Sequence, residues 1–376
     1  MYNKYLFTLL LVIAVAGTHA QNTYSGSFVH GGITRTYSFY VPAAYSPGQP
    51  VPMVIGLHGT SSTGAQFAQY RDFKPIADTA NFIVVNPNGS TMLGITFWNY
   101  GNVFGSTVDD VVFLEALIDT IASQYSINHQ RIYCTGMSNG SFMAYYMACQ
   151  SNRFAAIAGV TGSMSHTMLN VCNPVRPTPT LHIHGTEDNT NPYAGTSTMV
   201  GIEELNAFWV NQNNCDTTPL LTTVPNTDTN DGATAEHYVY TGGTSGNTVE
   251  LYKVIGGEHT WPGGPMPNSN DVTCMDFSAS KEIWRFFSQY QLEPTAIDKY
   301  GAAKFKLWPN PANEQLNIDI ESNTADITLL DMQGRMLLQQ QITNTGTINI
   351  SQLQSGNYLI KIAGKEFSSV RKVVVY

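Results

Sequence analysis

The sequence predicts an α/β fold with a mostly parallel sheet flanked by helices, followed by a small C-terminal all-β sandwich. Three observations carry that expectation. Strand-like runs at 51–57, 82–85, 155–160, 180–184 and 249–255 are rich in apolar residues, and the first is almost unbroken. Such runs suit strands buried on both faces of a parallel sheet. Helix-prone stretches at 109–125, 142–148, 202–210 and 280–290 alternate with them, the α/β pattern. After Glu293 the texture changes to short alternating runs with no helical stretch, as in a β-sandwich.

Taken in order, 24–30 and 35–41 alternate apolar and polar residues around Gly31-Gly32, an opening hairpin. A Pro/Gly-rich connection leads into 51–57, which ends at His58-Gly59-Thr60. The run 82–85 closes on Asn86-Pro87-Asn88-Gly89. Val111, Leu114, Leu117 or Ile118, and Ile121 recur at helical spacing, and Asp109 and Asp110 suit the positive end of that helix. A β-prone run from Arg131 stops at Gly136, and a helix-prone run begins at Phe142. The strand 180–184 ends at Gly185, and the strand 249–255 ends at Gly256-Gly257. In the tail, 316–320, 327–330, 335–338, 347–350, 358–362 and 371–376 are separated by turn residues. The expected division is 1–20 signal peptide, 21–292 catalytic domain, 293–303 linker and 304–376 sandwich.

Of 376 residues, 43% are hydrophobic and only 12% charged, with a net charge of −9. That balance argues against nucleic acid, which selects clustered Lys and Arg. Lys4, the apolar run 5–16 and Thr18-His19-Ala20 have the order of a secretory signal, and Gln21 would become the new N-terminus. No other stretch is long and apolar enough to span a membrane, so none is expected after signal removal. The five cysteines include no C-x-x-C pair, and export permits disulfides. Cys134, mid-strand, is expected to be a buried free thiol. The other four allow three pairings. Cys149–Cys172 and Cys215–Cys274 are the favoured ones, although spacing does not fix connectivity.

The chemistry centres on Gly136-Met137-Ser138-Asn139-Gly140, a Gly-x-Ser-x-Gly turn between strand and helix. Such a turn strains the serine and lifts its hydroxyl out of the sheet. A serine needs a base, and the base an orienting acid, here in the chain order Ser, Asp or Glu, His. The acid is expected in His184-Gly185-Thr186-Glu187-Asp188, with Asp188 first choice and Glu187 the alternative. The base is expected in Gly257-Glu258-His259-Thr260-Trp261, as His259. Backbone N–H groups of Asn139 and Thr60 are the expected oxyanion donors. Trp98 and Trp261, with Tyr100, would either stack on a substrate ring or pack internally. His182 and His184 mimic a metal pair on one strand face, but no third ligand cluster is evident. No metal or cofactor is expected.

Leu57-His58-Gly59, Val108-Asp109-Asp110-Val111, the Ser138 turn, His184-Gly185-Thr186-Glu187-Asp188 and His259-Thr260-Trp261-Pro262-Gly263 occur in order. Together they resemble the secreted polyhydroxybutyrate depolymerase/feruloyl esterase family of α/β-hydrolases, over roughly 24–290. The resemblance implies that Ser138, Asp188 and His259 form the triad. It implies a polymeric or polymer-linked ester as substrate: a polyhydroxyalkanoate or, alternatively, a feruloyl or acetyl ester of plant-wall xylan. The sequence departs from the family pattern at Ser141, Glu258 and Gly242-Gly243, the last standing where relatives often carry a cysteine. In the tail, Trp308-Pro309-Asn310-Pro311-Ala312, Leu353-Gln354-Ser355-Gly356-Asn357-Tyr358 and the terminal Lys372-Val373-Val374-Val375-Tyr376 resemble a type IX (Por) secretion sorting domain. That implies the type IX machinery as a partner and a secreted or cell-surface location. A polymer-binding tail, or a non-catalytic surface protein on a hydrolase scaffold, are the competing readings.

Overall fold

A computed structural model describes residues 22–264, 270–293, 305–320, 324–331, 335–364 and 368–376. The expected signal peptide and all but the first residue of the expected linker lie outside them. The chain divides into two compact units, Met1–Leu292 and Glu293–Tyr376.

In the first unit β1 (Asn22–His30) and β2 (Ile33–Val41) form the expected hairpin. Then come β3 (Val51–Leu57), α1 (Gly64–Tyr70), α2 (Lys74–Ala80), β4 (Ile83–Pro87) and a small hairpin, β5 (Ser90–Met92) with β6 (Ile95–Phe97). Next are α3 (Asp110–Ala122), β7 (Ile127–Met137), α4 (Asn139–Gln150), β8 (Ala156–Val160), α5 (His166–Val171) and β9 (Thr180–Gly185). The unit closes with α6 (Ile202–Gln212), β10 (Leu220–Thr223), β11 (Thr234–Tyr240), β12 (Val249–Ile255) and α7 (Ala279–Phe287).

The ten-stranded sheet has the order β1-β2-β4-β3-β7-β8-β9-β12-β11-β10. From β4 to β12 every neighbouring pair is parallel, and the antiparallel strands lie at the two edges. Every residue of β3, β4, β8 and β9 is buried, which is why those runs lack polar alternation. One apolar cluster on the sheet gathers Leu114, Leu117, Met143 and Met147 of the helices α3 and α4. A second gathers Phe67, Phe82, Ile283, Phe286 and Phe287. Asp109 caps α3 by accepting from Val112 N at 3.0 Å. Asp110 goes inward to a buried pair with Arg35 at 2.7 Å.

The second unit holds β13 (Phe305–Trp308), β14 (Gln315–Ile320), β15 (Ala325–Leu330), β16 (Met336–Ile342), β17 (Thr345–Asn349), β18 (Gly356–Ala363) and β19 (Ser368–Val375). They form a three-stranded sheet, β13-β14-β17, and a four-stranded sheet, β16-β15-β18-β19. Leu316, Ile318 and Ile348 of one share a core with Ile327, Leu329, Ile360 and Val373 of the other. The fold class is as expected, an α/β unit followed by an all-β sandwich. Among the described residues no helix is long and apolar enough to cross a membrane.

Cys149 and Cys172 are bonded, joining α4 to the end of α5. The expected Cys215–Cys274 bond is absent: both are buried free thiols, as is Cys134. A Cβ built at Gly243 would stand 2.8 Å from Cys215 Sγ. It would also stand 2.4 Å from Asn247 O, so the backbone opposite Cys215 has room only for glycine. Cys274 instead donates to Asp276 Oδ2 at 3.7 Å, and burial pushes its thiol up to about 12.

Candidate active site

β3 and β7 are neighbours in the sheet, as are β9 and β12, with β8 between the two pairs, and the C-terminal ends of these four strands carry the motif loops, the usual rim for ligands in such sheets. Ser138 stands between β7 and α4 with φ +55° and ψ −123°, a conformation a non-glycine residue adopts only when its surroundings impose it. The surroundings are tight. A Cβ at Gly136 would come 2.3 Å from Gly140 C, one at Gly140 2.1 Å from Leu57 O, and one at Gly162 2.4 Å from Ser138 O. Ser138 N donates to Val160 O at 2.9 Å, tying the turn to β8.

The turns after β9 and β12 press on each other. A Cβ on Gly185 would lie 2.1 Å from Gly257 O, and Glu187 N donates to that oxygen at 2.9 Å. That contact delivers Asp188 to His259, whose Nδ1 donates to Asp188 Oδ2 at 2.8 Å. Asp188 Oδ1 accepts from Thr190 N at 2.9 Å and Asn191 N at 2.8 Å. Burial pushes this carboxyl up, but the donors from His184 and His259 outweigh it and hold it well below the usual carboxylate range. Asp188 is 3% exposed, whereas Glu187 is exposed. Asp188, not Glu187, therefore meets the histidine.

Ser138 and His259 line one cavity of about 800 Å³, together with Gly59, Thr60 and Asn139. Asn139 opens α4, so its N–H is among those with no intrahelical acceptor. The Thr60 loop is held by His58. That ring donates from Nδ1 to Gly59 O at 2.7 Å and accepts at Nε2 from Gly89 N at 2.9 Å. Burial lowers His58 to about 4, so it is neutral in this role.

Trp98 and Trp261 are not where substrate stacking requires them. Trp98 is fully buried. Its Nε1 donates to His58 O at 3.0 Å, its N donates to Asn139 Oδ1 at 2.6 Å, and its carbonyl accepts from Asn139 Nδ2 at 3.2 Å. It braces both expected oxyanion loops from behind. Trp261 is 1% exposed, donates to Ser280 Oγ at 3.1 Å and packs edge-on against Phe67 and Phe73. The aromatic residues that line the cavity are instead Phe67, Tyr70, Tyr100, Phe104 and Phe142, with Tyr100 stacked on Phe142 at 4.9 Å. Ser165, Thr196 and Thr198 give it hydroxyls. The sequence reading missed these apart from Tyr100, because isolated loop hydroxyls carry no spacing signal.

His182 and His184 do share a strand face. Their ring nitrogens bond to each other at 3.0 Å and to neighbours on either side, so the pair is a hydrogen-bonded unit.

Residues 35–216 match the family model described as "Esterase PHB depolymerase", and 306–376 the model described as "Secretion system C-terminal sorting domain". Among curated relatives, a bifunctional acetylxylan esterase/xylanase of Neocallimastix patriciarum is 26% identical, over 70% of this chain and 34% of that protein. Feruloyl esterase B of Piromyces equi is 27% identical, over 60% of this chain and 42% of that protein. Poly(3-hydroxyalkanoate) depolymerase C of Paucimonas lemoignei is 23% identical, over 70% and 67%. This chain thus spans well under half the length of the first two. Beside the strand order and the strained serine turn, these matches show that residues 35–216 are similar to the esterase PHB depolymerase family and residues 306–376 to secretion system C-terminal sorting domains.

Proposed function

We propose that this protein is a secreted serine esterase that cleaves carboxylic esters through an acyl-enzyme. Ser138 Oγ attacks the ester carbonyl while His259 Nε2 takes its proton. The tetrahedral oxyanion receives N–H groups from Asn139 and Thr60. His259 then hands the proton to the departing alcohol, and the carbonyl re-forms as the acyl-serine. Water repeats the sequence, with His259 again as base, and frees the acid. Asp188 keeps the imidazole in the tautomer with Nδ1–H. The observation that carries this reading is the Asp188–His259 bond at 2.8 Å, with His259 and the strained Ser138 on one cavity wall.

A polymeric hydroxyalkanoate ester is the favoured substrate class, from the family match. A feruloyl or acetyl ester of xylan is the second reading, and the stacked Tyr100–Phe142 pair beside cavity hydroxyls favours it. The sorting domain supports export to the medium or cell surface through a type IX system. Ser138→Ala is expected to cut turnover of a short p-nitrophenyl ester by at least 10³-fold with an unchanged circular dichroism spectrum. Full activity in that variant would refute the assignment of Ser138, and wild-type protein that resists a fluorophosphonate probe would favour the non-catalytic surface protein. Rates on polyhydroxybutyrate film, methyl ferulate and acetylated xylan, measured side by side, separate the substrate classes.

A further inference from the structure

Behind Asp188 lies a row of buried polar groups that the proposed mechanism does not use. Tyr145 Oη is 2.7 Å from His182 Nδ1, and His182 Nε2 is 3.0 Å from His184 Nδ1. His184 Nε2 is 2.8 Å from the Asn191 carbonyl and 3.3 Å from Asp188 Oδ2. Tyr145 and His184 are fully buried, and His182 is 3% exposed. The two histidines share a face of β9 because side chains alternate along a strand. Tyr145 reaches them from α4, its ring backed by Trp209 at 5.8 Å.

The direction of the protons follows from one end. His184 Nε2 faces two acceptors, so it carries a hydrogen. In a neutral ring Nδ1 then accepts, and His182 Nε2 must donate to it. His182 Nδ1 in turn accepts, which leaves the Tyr145 hydroxyl as donor. Burial, reinforced by His184 alongside, holds His182 well below the ordinary imidazole value, in keeping with a neutral ring. With both rings neutral, one assignment satisfies every nitrogen, and each bond polarises the next toward Asp188.

We propose that Tyr145, His182 and His184 form a one-way file of donors, with His184 as the positioning residue that fixes the Asp188 carboxylate for His259. This rests on the reading of Asp188 and His259 as acid and base. The file draws charge from Asp188 Oδ2, the same oxygen that His259 Nδ1 contacts. Without it the carboxylate holds the imidazole proton harder, and the base is freed only at higher pH. Other charged groups near these residues are already engaged or removed. Glu258 accepts from Val272 N at 2.6 Å, and Glu187 is exposed. Tyr193, edge-on to His184 at 6.0 Å, donates to Glu203 at 2.7 Å and carries Lys253 at 5.0 Å over its ring. Arg71 lines the cavity that His259 lines. All of these are unchanged in the variants below.

The test is the pH profile of kcat/KM on a soluble p-nitrophenyl ester for wild type, His184→Leu, His184→Gln and Tyr145→Phe. His184→Leu is expected to lose roughly 10- to 100-fold and to move the acid limb to higher pH. His184→Gln, whose amide can donate where Nε2 stood, recovers most of both. Tyr145→Phe, which keeps the packing, shifts the limb in the same direction by less. Equal losses in Leu and Gln, or a limb that stays put while activity falls, would overturn the proposal in favour of a packing role. Nitrogen-15 spectra of the wild-type histidine rings provide a reading that needs no turnover. Hydrogen on Nε2 of both His182 and His184 upholds the file, and hydrogen on Nδ1 of either overturns it. Wild-type protein with no ester turnover would sink the functional reading while leaving this result intact.

Discussion

His58 shows how a single ring ties stability and function to acidity. It is fully buried, and its Nε2 accepts from Gly89 N–H. A proton added there would set N–H against N–H. Its value falls to about 4 in the folded chain, against about 6.5 in an unfolded one. The unfolded state therefore gains protons first as pH drops, and the latch contributes fully above about 6.5 and is lost toward 4. The swing is up to ~3 kcal/mol, and depressed His182 adds to it in the same direction. Melting temperature is thus expected to fall between pH 6.5 and 4, and His58→Gln to flatten that slope while lowering Tm at pH 7. At this scale the sequence is legible wherever a residue follows the end of a buried strand. Ser138, Asp188 and His259 each follow a strand end, and a strand end can be read from its apolar run. Whether a tryptophan faces a cavity or the interior cannot be read that way. Trp98 and Trp261 have the composition of a binding wall, yet the neighbours that bury them, Asn139 and Phe67 among others, are remote in sequence.

Among the elements, the bond between Cys149 and Cys172 matters most for the site. It ties α4, which opens on the strained Ser138 turn, to α5, whose cap Ser165 lines the cavity. Closing a segment of 23 residues limits the unfolded chain by about 3 kcal/mol. Reduction, or the double change Cys149→Ser and Cys172→Ser, is expected to lower Tm by roughly 5–10 °C, read by scanning calorimetry. The elements that escaped the sequence reading share one property, the lack of a continuous apolar stripe. The seven residues of α1 bury only Gly64 and Phe67, and those of α2 only Ala77. All four residues of β10 are exposed, as an edge strand allows. It forms because β11 offers it a partner, and that information is nowhere in its own residues.

For the whole molecule, each unit encloses its own apolar core: one cluster with Leu316, Ile327 and Val373 in the second unit, and two clusters in the first, one with Leu117 and Met143 and one with Ile283. A chain ending at Leu292 is therefore expected to hydrolyse a soluble ester within about twofold of the full-length rate. It should also remain inside the producing cell, which fractionation and immunoblotting would reveal. The two-part organisation was legible because the alternation of strands and helices stops near Glu293. Detection at the cell surface reports arrival, whereas a chromogenic ester reports turnover, so one library of variants could be sorted twice. Gly136, Gly140 and Gly162 leave room at the serine turn only for a hydrogen. They would be blank columns in both sorts, while replacements of Ser138 would survive the first and vanish from the second. An experimenter who assayed turnover alone would credit four positions with the chemistry proposed for one.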